Sequence, residues 1–198
     1  SNHKYHSGKY TVHTYLTAGN GIRTSKPYSK GVMVKPVQAK VSAKGDSQQK
    51  EYTLSVTNTG VFGNVTDLQY AVWSDTNGQD DLKWLFSNVG SDGTGSVKTQ
   101  IKDYASYGDY SVDVYGTVNG QQIFMGHTSF EVTAPTWEIE IANQDDEAGT
   151  FDVIVKNIES KSGVSQVQIP VWCASDQSDI VWYEATRQSD GSYKATVR

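Results

Sequence analysis

The sequence predicts an all-β protein, built from immunoglobulin- or fibronectin-like β-sandwich modules in tandem with about seven strands per repeat. Three observations lead to this prediction. Apolar and polar residues alternate along short runs, polar turns rich in Gly, Asn and Asp separate these runs, and the whole pattern returns after about 99 residues. No stretch shows the spacing of an amphipathic helix, so the helical fold classes are disfavoured.

The strands of one repeat can be assigned in order along the chain. Strand-like runs occupy residues 37–43, 52–57, 66–73, 82–86, 96–101, 109–117 and 122–132. Turns such as "TNG" at 76–78, "SDG" at 91–93 and "VNGQ" at 118–121 separate them, because Gly and Asn accept the positive backbone angles of tight turns. Seven short strands in one repeat indicate a sandwich of two sheets.

The repeat also indicates where one module ends and the next begins. Residues 51–73 align without gaps to residues 150–172, and residues 2–15 align to residues 102–115. Pro36 and Pro135 lie at the joints, since proline cannot donate within a central strand. We therefore predict a C-terminal half-repeat at 1–36, a complete repeat at 37–135 and an N-terminal half-repeat at 136–198. The alternative frame places two intact modules at 1–101 and 102–198.

The two half-repeats predict an interaction. Each would expose half of a core and a long strand edge. Because they are complementary, we expect residues 1–36 to pair with residues 136–198, either within one chain or between chains as a strand-swapped or head-to-tail assembly.

Several strings resemble one known family. They are "VQIPVW" at 167–172, "QSDIVWY" at 177–183, "SDGSYK" at 189–194, "SGKYTVHTY" at 7–15 and "GQDDLKW" at 78–84. Together they resemble the GBS Bsp-like repeat, found in secreted and wall-associated proteins of streptococci and related bacteria, including peptidoglycan hydrolases. The resemblance implies a non-catalytic accessory module that helps to bind the cell wall. The copies differ from one another: Asp113 stands where His13 does, and Ser178 replaces Asp80.

A loop between two tryptophans occurs twice and is the candidate ligand site. By alternation Trp73 and Trp172 point away from the core, where a flat ring could face a sugar while Gln and Asp side chains bond its hydroxyls. The candidate ligand-binding residues are Trp73, Gln79, Asp80, Asp81, Trp172, Gln177 and Asp179. The competing interpretation is a structural corner in which the loop folds over Trp. We expect Trp84 and Trp182 to lie mostly in the core.

Catalytic and metal chemistry fit the sequence less well. Cys173 has Ser74 at the equivalent position, and a cysteine nucleophile would need a base such as a histidine from the other half-repeat. Asp80 and Asp81 are adjacent, so on a strand they would point to opposite faces, which does not suit a glycosidase pair. Residues 75–81 lack the Gly and Glu positions of a calcium loop. His3, His6 and His13 suggest surface histidines rather than zinc ligands. We expect no cofactor, metal or catalytic residue.

The composition of the chain disfavours some classes of binding partner. The net charge is −5 and charged residues make up 20% of the chain, which gives no basic face for nucleic acid. No run approaches the roughly 20 apolar residues of a membrane span. Cys173 is the only cysteine, so no disulfide can form within the chain. With the resemblance, these features predict a secreted, cell-wall-associated module whose partner is a bacterial wall polymer. A structural spacer and a host-ligand adhesin remain the alternatives.

Overall fold

The computed structural model describes residues 7–198, which are almost entirely β-structure. Two short 3-10 turns, at Thr59–Phe62 and Ile101–Asp103, accompany the strands. The strands are β1 (Gly8–Thr17), β2 (Arg23–Val34), β3 (Lys40–Gly45), β4 (Glu51–Thr57), β5 (Val65–Ser74), β6 (Lys83–Asn88), β7 (Gly95–Gln100), β8 (Gly108–Val118), β9 (Gln121–Val132), β10 (Thr136–Asp145), β11 (Thr150–Glu159), β12 (Gln168–Val171), β13 (Val181–Glu184), β14 (Thr186–Arg187) and β15 (Tyr193–Val197). The all-β prediction is confirmed.

Strands β3 to β9 form a two-layer sandwich, here named the central sandwich. One layer is the antiparallel sheet β3-β4-β7 and the other is the sheet β6-β5-β8-β9. Along these strands about every second side chain is buried or half-buried between the layers, as the alternation predicted. The fully buried side chains include Leu54, Val56, Leu68, Tyr70, Val72, Tyr110, Val112, Val114 and Met125. All seven strands expected for this stretch are present, with ends that differ from the predicted ends by a few residues.

Tyr110 anchors the start of β8 in the core. Its hydroxyl donates to the Ser106 carbonyl oxygen at 2.6 Å, which is the tyrosine corner of immunoglobulin-like sandwiches. The ring stacks on Phe130 with centroids 5.0 Å apart, and Phe130 stacks in turn on Tyr52 at 4.0 Å. Burial raises the pKa of Tyr110 to about 12, with a smaller contribution from the charge of Asp81. The phenol is therefore a neutral hydrogen-bond donor at any physiological pH.

Strands β10 to β15 form a smaller unit, here named the half-sandwich. Its sheets are β10-β11-β15-β14 and β12-β13. A modest core lies between them, made from Val153, Val155, Ile169, Ala185, Ala195 and Val197. Asp152 of β11 links three strands of the first sheet. Its carboxylate accepts hydrogen bonds from Asn143 of β10 at 2.7 Å and from two residues of β15, Thr196 at 2.6 Å and Lys194 at 2.9 Å. These bonds hold the pKa of Asp152 well below its usual value.

Strands β1 and β2 form an antiparallel hairpin, here named the N-terminal hairpin. It is a two-stranded sheet of its own, and most of its side chains are exposed. Within the described residues, the structure has no helix long and apolar enough to cross a membrane. The exact module boundaries stay a prediction.

Candidate functional site

The loop from Trp73 to Trp84 is held closed by one carboxylate. Asp81 accepts from the Ser74 backbone nitrogen at 2.9 Å and from the Ser74 hydroxyl at 2.7 Å. It also accepts from the Ala105 nitrogen at 3.0 Å, which ties the loop to the segment before β8. Burial opposes ionisation of this carboxyl, but the three hydrogen bonds outweigh burial and lower the pKa of Asp81. The carboxylate is therefore ionised and occupied by protein donors.

The second copy of the loop has the same closure. Asp179 accepts from the backbone nitrogens of Cys173 and Ala174, both at 3.0 Å. Its hydrogen bond with the Cys173 side chain is the largest cause that lowers the pKa of Asp179 to about 2. Cys173 thus takes the place of Ser74, and Asp179 takes the place of Asp81. The feature common to both loops is this carboxylate closure, which favours the structural-corner interpretation of the two Asp residues.

The other predicted ligand residues lie around these closures. Trp73 is half-buried and its backbone pairs with Ser111 of β8, whereas Trp172 is exposed. The remaining three candidates of the loops, Gln79, Asp80 and Gln177, are exposed. Gln177 has a left-handed backbone, with φ of 60°, and forms the tip of its loop. A ligand-binding role for these residues stays a prediction.

The expectation that Trp84 and Trp182 lie in the core is wrong. Trp84 is 44% exposed and Trp182 is 60% exposed. In β6 the half-buried Leu85 packs against the core, so alternation sends Trp84 to the outer side. The same holds in β13, where Tyr183 packs inward and Trp182 points outward. Alternation alone allows either face of these short strands to be the core face. In both strands the tryptophan lies on the outer face.

An aromatic surface therefore covers the outer side of the sheet β6-β5-β8-β9, here named the aromatic face. Its members are Trp84, Phe86, Tyr115 and Phe124, one or two from each of β6, β8 and β9. The rings of Trp84 and Tyr115 lie 5.7 Å apart, and those of Tyr115 and Phe124 lie 5.6 Å apart. Ala71 of β5 pairs with Trp84 on one side and Asp113 on the other, so a small side chain forms the floor.

Polar groups border the aromatic face. The Gln122 amide donates to the Gln69 side-chain oxygen at 2.5 Å, and both side chains lie beside Tyr115 and Phe124 in the ladder. On the next row, the Asp113 carboxylate and the His127 ring nitrogen are 2.8 Å apart. Amides, a carboxylate and an imidazole at the edge of exposed rings can bond ligand hydroxyls while the rings contact its apolar faces.

The half-sandwich carries part of a second aromatic surface. Pro170 pairs with Trp182, as Ala71 pairs with Trp84. Trp172 lies two residues beyond Pro170 on the same side of β12–β13, as the half-buried Trp73 lies two residues beyond Ala71. The strands that supply Tyr115 and Phe124 in the central sandwich have no counterpart in the half-sandwich, so this second surface consists of the two tryptophans and Pro170.

The residues considered for catalysis are not brought together. His3 and His6 lie outside the described residues, and His13 is on the N-terminal hairpin. The hydrogen bond with Asp179 raises the pKa of Cys173, which favours the thiol over the reactive thiolate. Among residues 7–198 no three His, Cys, Asp or Glu side chains are grouped as a metal site would need. A cleft of about 500 Å³ lies between the central sandwich and the 161–165 loop, and its lining mixes Gln, Lys and Ser side chains with Tyr104 and Tyr107.

Comparisons with known proteins give one family match and several weak structural likenesses. The family model of the GBS Bsp-like repeat matches residues 41–130 and again residues 140–198. A structure of a tetra-tandem repeat from a large adhesion protein is 17% identical, with a TM-score of 0.41, over 96% of this chain and 48% of that one. A polysaccharide deacetylase from Bacillus cereus is 16% identical, with a TM-score of 0.40, over 52% of this chain and 31% of that one.

These structural likenesses are too weak to bear on function, and the chain spans less than half of either protein. No curated protein matches the chain. The family match is stronger than the structural likenesses, because its two segments cover about three quarters of the residues and include both tryptophan loops. The chain therefore belongs to the GBS Bsp-like repeat family.

Proposed function

We propose that this repeat chain is a non-catalytic module of a secreted bacterial surface protein, and that it binds a cell-wall glycan through the aromatic face of the central sandwich. The observation that supports this most is the aromatic face itself. The exposed rings of Trp84, Phe86 and Phe124, with the half-buried Tyr115 between them, leave a grouped apolar surface in water, and such surfaces commonly mark binding sites.

The chemistry of the aromatic face suits a sugar polymer. Pyranose rings present flat C–H surfaces that stack on aromatic rings, and their hydroxyls accept and donate at the rim. The ring of Tyr115 lies beside the rings of both Trp84 and Phe124, and all three residues sit on strands rather than loops. The surface is therefore pre-organised, which reduces the entropy lost on binding. The Gln69–Gln122 pair and the Asp113–His127 pair provide hydrogen-bonding groups at two edges.

The arrangement of acids supports a binding role over hydrolysis. Glycosidases use two carboxyl groups facing one bond, at least one of which stays available for proton transfer. The Asp81 and Asp179 carboxylates are instead each taken up by loop donors and have lowered pKa values. A carboxyl with a lowered pKa is a poor general acid near neutral pH.

The test is retention on purified peptidoglycan with and without its attached glycopolymers. The Trp84→Ala/Phe124→Ala double variant should lose at least about tenfold in affinity, equivalent to about 1.4 kcal/mol. Tyr107→Ala is the matched control, because Tyr107 is exposed to a similar degree but lies off the aromatic face. Trp73→Ala/Trp172→Ala tests the tryptophan loops separately. Equal retention of the wild type and the Trp84/Phe124 double variant would contradict the proposal.

The same preparation separates the alternatives. A spacer would show no retention of any variant. A host-ligand adhesin would bind host glycans or proteins and leave bacterial walls unbound. An enzyme would release soluble fragments from the walls, and substitution of Asp81 or Asp179 would stop the release.

A further inference from the structure

The N-terminal hairpin presents an apolar surface that none of the other described strands covers. Among the described residues, β1 pairs with β2 alone, and the exposed side chains include Val12, Leu16, Tyr28 and Val32. Val12 pairs with Tyr28, and Tyr10 pairs with Val32. The side chains of Tyr10, Val12, Tyr28 and Val32 therefore share one face of the hairpin. A two-stranded hairpin with one apolar face is at best marginally stable alone.

The hairpin pairs like the hairpin that closes the central sandwich, except that β1–β2 shifts register between Tyr10 and Val12, where β2 has two more residues than β9 has at the same place. In β1–β2 the pairs are Gly8 with Val34, Tyr10 with Val32 and Val12 with Tyr28. In β8–β9 they are Gly108 with Val132, Tyr110 with Phe130 and Val112 with Thr128. The apolar face of β1–β2 thus corresponds to the face by which β8–β9 packs on the core. The two are not identical, since Leu16 and Lys26 replace Gly116 and Gly126 and would require local repacking.

The half-sandwich has a matching open surface. In the central sandwich β5 pairs with β6 on one edge and with β8 on the other, whereas β12 pairs with β13 alone. Strand β10 leaves Trp137, Ile139 and Ile141 exposed. Ile139 pairs with Val155 as Val41 pairs with Val56, which places Ile139 in the position of a residue that lies against β9.

Charge is complementary between the two surfaces. Residues 7–36 contain five Lys or Arg and no Asp or Glu, whereas residues 136–198 contain eleven acidic and five basic residues, a net charge of −6. The hairpin β8–β9 has the opposite character, with three acidic residues and no Lys or Arg. Opposite charge steers association and disfavours wrong partners. The N-terminal hairpin is therefore suited to the acidic half-sandwich.

We propose that the N-terminal hairpin of one chain completes the half-sandwich of a second copy, with β1 adding to the free edge of β12. By the register of the central sandwich, Val12 would lie opposite Val171 and Tyr10 opposite Cys173, as Val112 lies opposite Val72 and Tyr110 opposite Ser74. Two such exchanges between the same two chains give a closed twofold dimer.

The geometry of the central sandwich favours a second copy over the same chain. The Ala39 nitrogen donates to the Met125 carbonyl oxygen, and the Tyr52 hydroxyl donates to the Glu131 carbonyl oxygen. Strand β9 thus begins near the N-terminal joint and ends near the C-terminal joint, which separates the joints by roughly 20 Å along the strand. The hairpin and the half-sandwich are attached at opposite ends of the sandwich.

The exchange would also complete the second aromatic surface. In the central sandwich Trp84 and Tyr115 flank β5, with their rings 5.7 Å apart. In the exchanged dimer Trp182 and Tyr15 of the other copy would flank β12 in the same way. Each dimer would then carry four aromatic faces, two of them built from both chains. This consequence for ligand binding rests on the proposed function, whereas the dimer does not.

The first test is the mass of the 198-residue chain in solution, measured by light scattering after gel filtration. We expect twice the 21.8 kDa of one chain. Val32→Asp should give a monomer because it places a charge on the apolar face of the hairpin. Met33→Asp is the matched control, since Met33 is exposed on the opposite face of the same strand, and it should remain a dimer. A monomeric wild type, or a dimeric Val32→Asp variant, would overturn the proposal.

The second test uses the single native cysteine and does not depend on the stability of a charged variant. Tyr10→Cys should form a disulfide with Cys173 of the other copy under mild oxidation, giving a covalent dimer on a non-reducing gel. Lys9→Cys points to the other face and, like the wild type, should stay uncrosslinked. A disulfide between the introduced thiol and Cys173 of the same chain would refute pairing between copies, and no disulfide would refute the register. Both tests need no glycan, so their outcome is independent of wall binding.

Discussion

Replacement of Asp81 by alanine should destabilise the central sandwich far more than replacement of its neighbour Asp80. The Asp81 carboxylate accepts three hydrogen bonds, two from Ser74 and one from Ala105. Ser74 is completely buried at the end of β5. When the carboxylate is removed, the Ser74 amide and hydroxyl lose their acceptor in a place that water does not reach in the native state.

The magnitude follows from the two buried donors. A buried polar group left without a partner costs about 1 to 3 kcal/mol, and hydrogen bonds to a charged acceptor are at the upper end of the usual range. The Ala105 amide is exposed, so water replaces most of its bond. We therefore expect a loss of about 3 kcal/mol in the free energy of unfolding for Asp81→Ala. Asp80→Ala should change it by less than about 0.5 kcal/mol, as is usual for exposed positions.

This loss in the free energy of unfolding can be measured in the intact chain by hydrogen exchange of peptides from β5 and β8, followed by mass spectrometry. Amides that exchange by opening of the central sandwich should exchange roughly 100-fold faster in Asp81→Ala, and peptides of the half-sandwich should be unchanged. Equal exchange rates in the Asp81 and Asp80 variants would refute the reasoning, since they would mean that the closure does not contribute to stability.

The effect of Asp81 should depend on pH in a defined direction. The folded protein lowers the pKa of Asp81 from its ordinary 3.8. Its contribution is therefore fully present above about pH 4 and is lost as the pH falls through the lowered folded value. Urea unfolding should show a constant stability difference between wild type and Asp81→Ala from about pH 7 to pH 5, and a shrinking one below the ordinary pKa.

Two further predictions concern the second loop and the core. Because Asp179 raises the pKa of Cys173, Asp179→Asn should increase the rate at which a maleimide labels this thiol near neutral pH, measured by mass spectrometry; an unchanged rate would contradict the hydrogen bond. Gly95→Ala should lower the free energy of unfolding by about 1 to 3 kcal/mol, because its Cβ would overlap a Leu68 methyl group. Gly60→Ala, where an added Cβ meets nothing, is the control in the same denaturation measurement.

Much of the central sandwich could be predicted from local patterns. The predicted runs 52–57 and 66–73 correspond to β4 and β5, because alternation and turn residues are local signals that the strand backbone converts directly into two faces. The outward direction of Trp73 follows from the same alternation along β5. The shared acid of the two loops, Asp81 and Asp179, is also visible in the sequence, since it is common to both copies whereas Asp80 is not.

The exposed side of β6 could not be read in this way. Alternation shows that Trp84 and Phe86 share a face, but it does not show which face the second sheet covers. In a strand of six residues, the core position falls to Leu85, and the two larger rings lie outside. A count of the apolar residues on both faces of all four strands would have indicated the aromatic face, because β6, β8 and β9 each place aromatic rings opposite their core residues.

The sequence by itself determined the strands, their turns, the repeat and the pairs of residues that share a face, since all of these depend on spacing along the chain. Only the tertiary structure decided what each face meets. Asp81 accepts a hydrogen bond from Ala105, which lies 24 residues away in the chain, and the rings of three strands come into contact on one sheet. Within residues 7–198, no other strand covers the apolar face of the N-terminal hairpin. These outcomes depend on how sheets twist and stack, which no local spacing specifies.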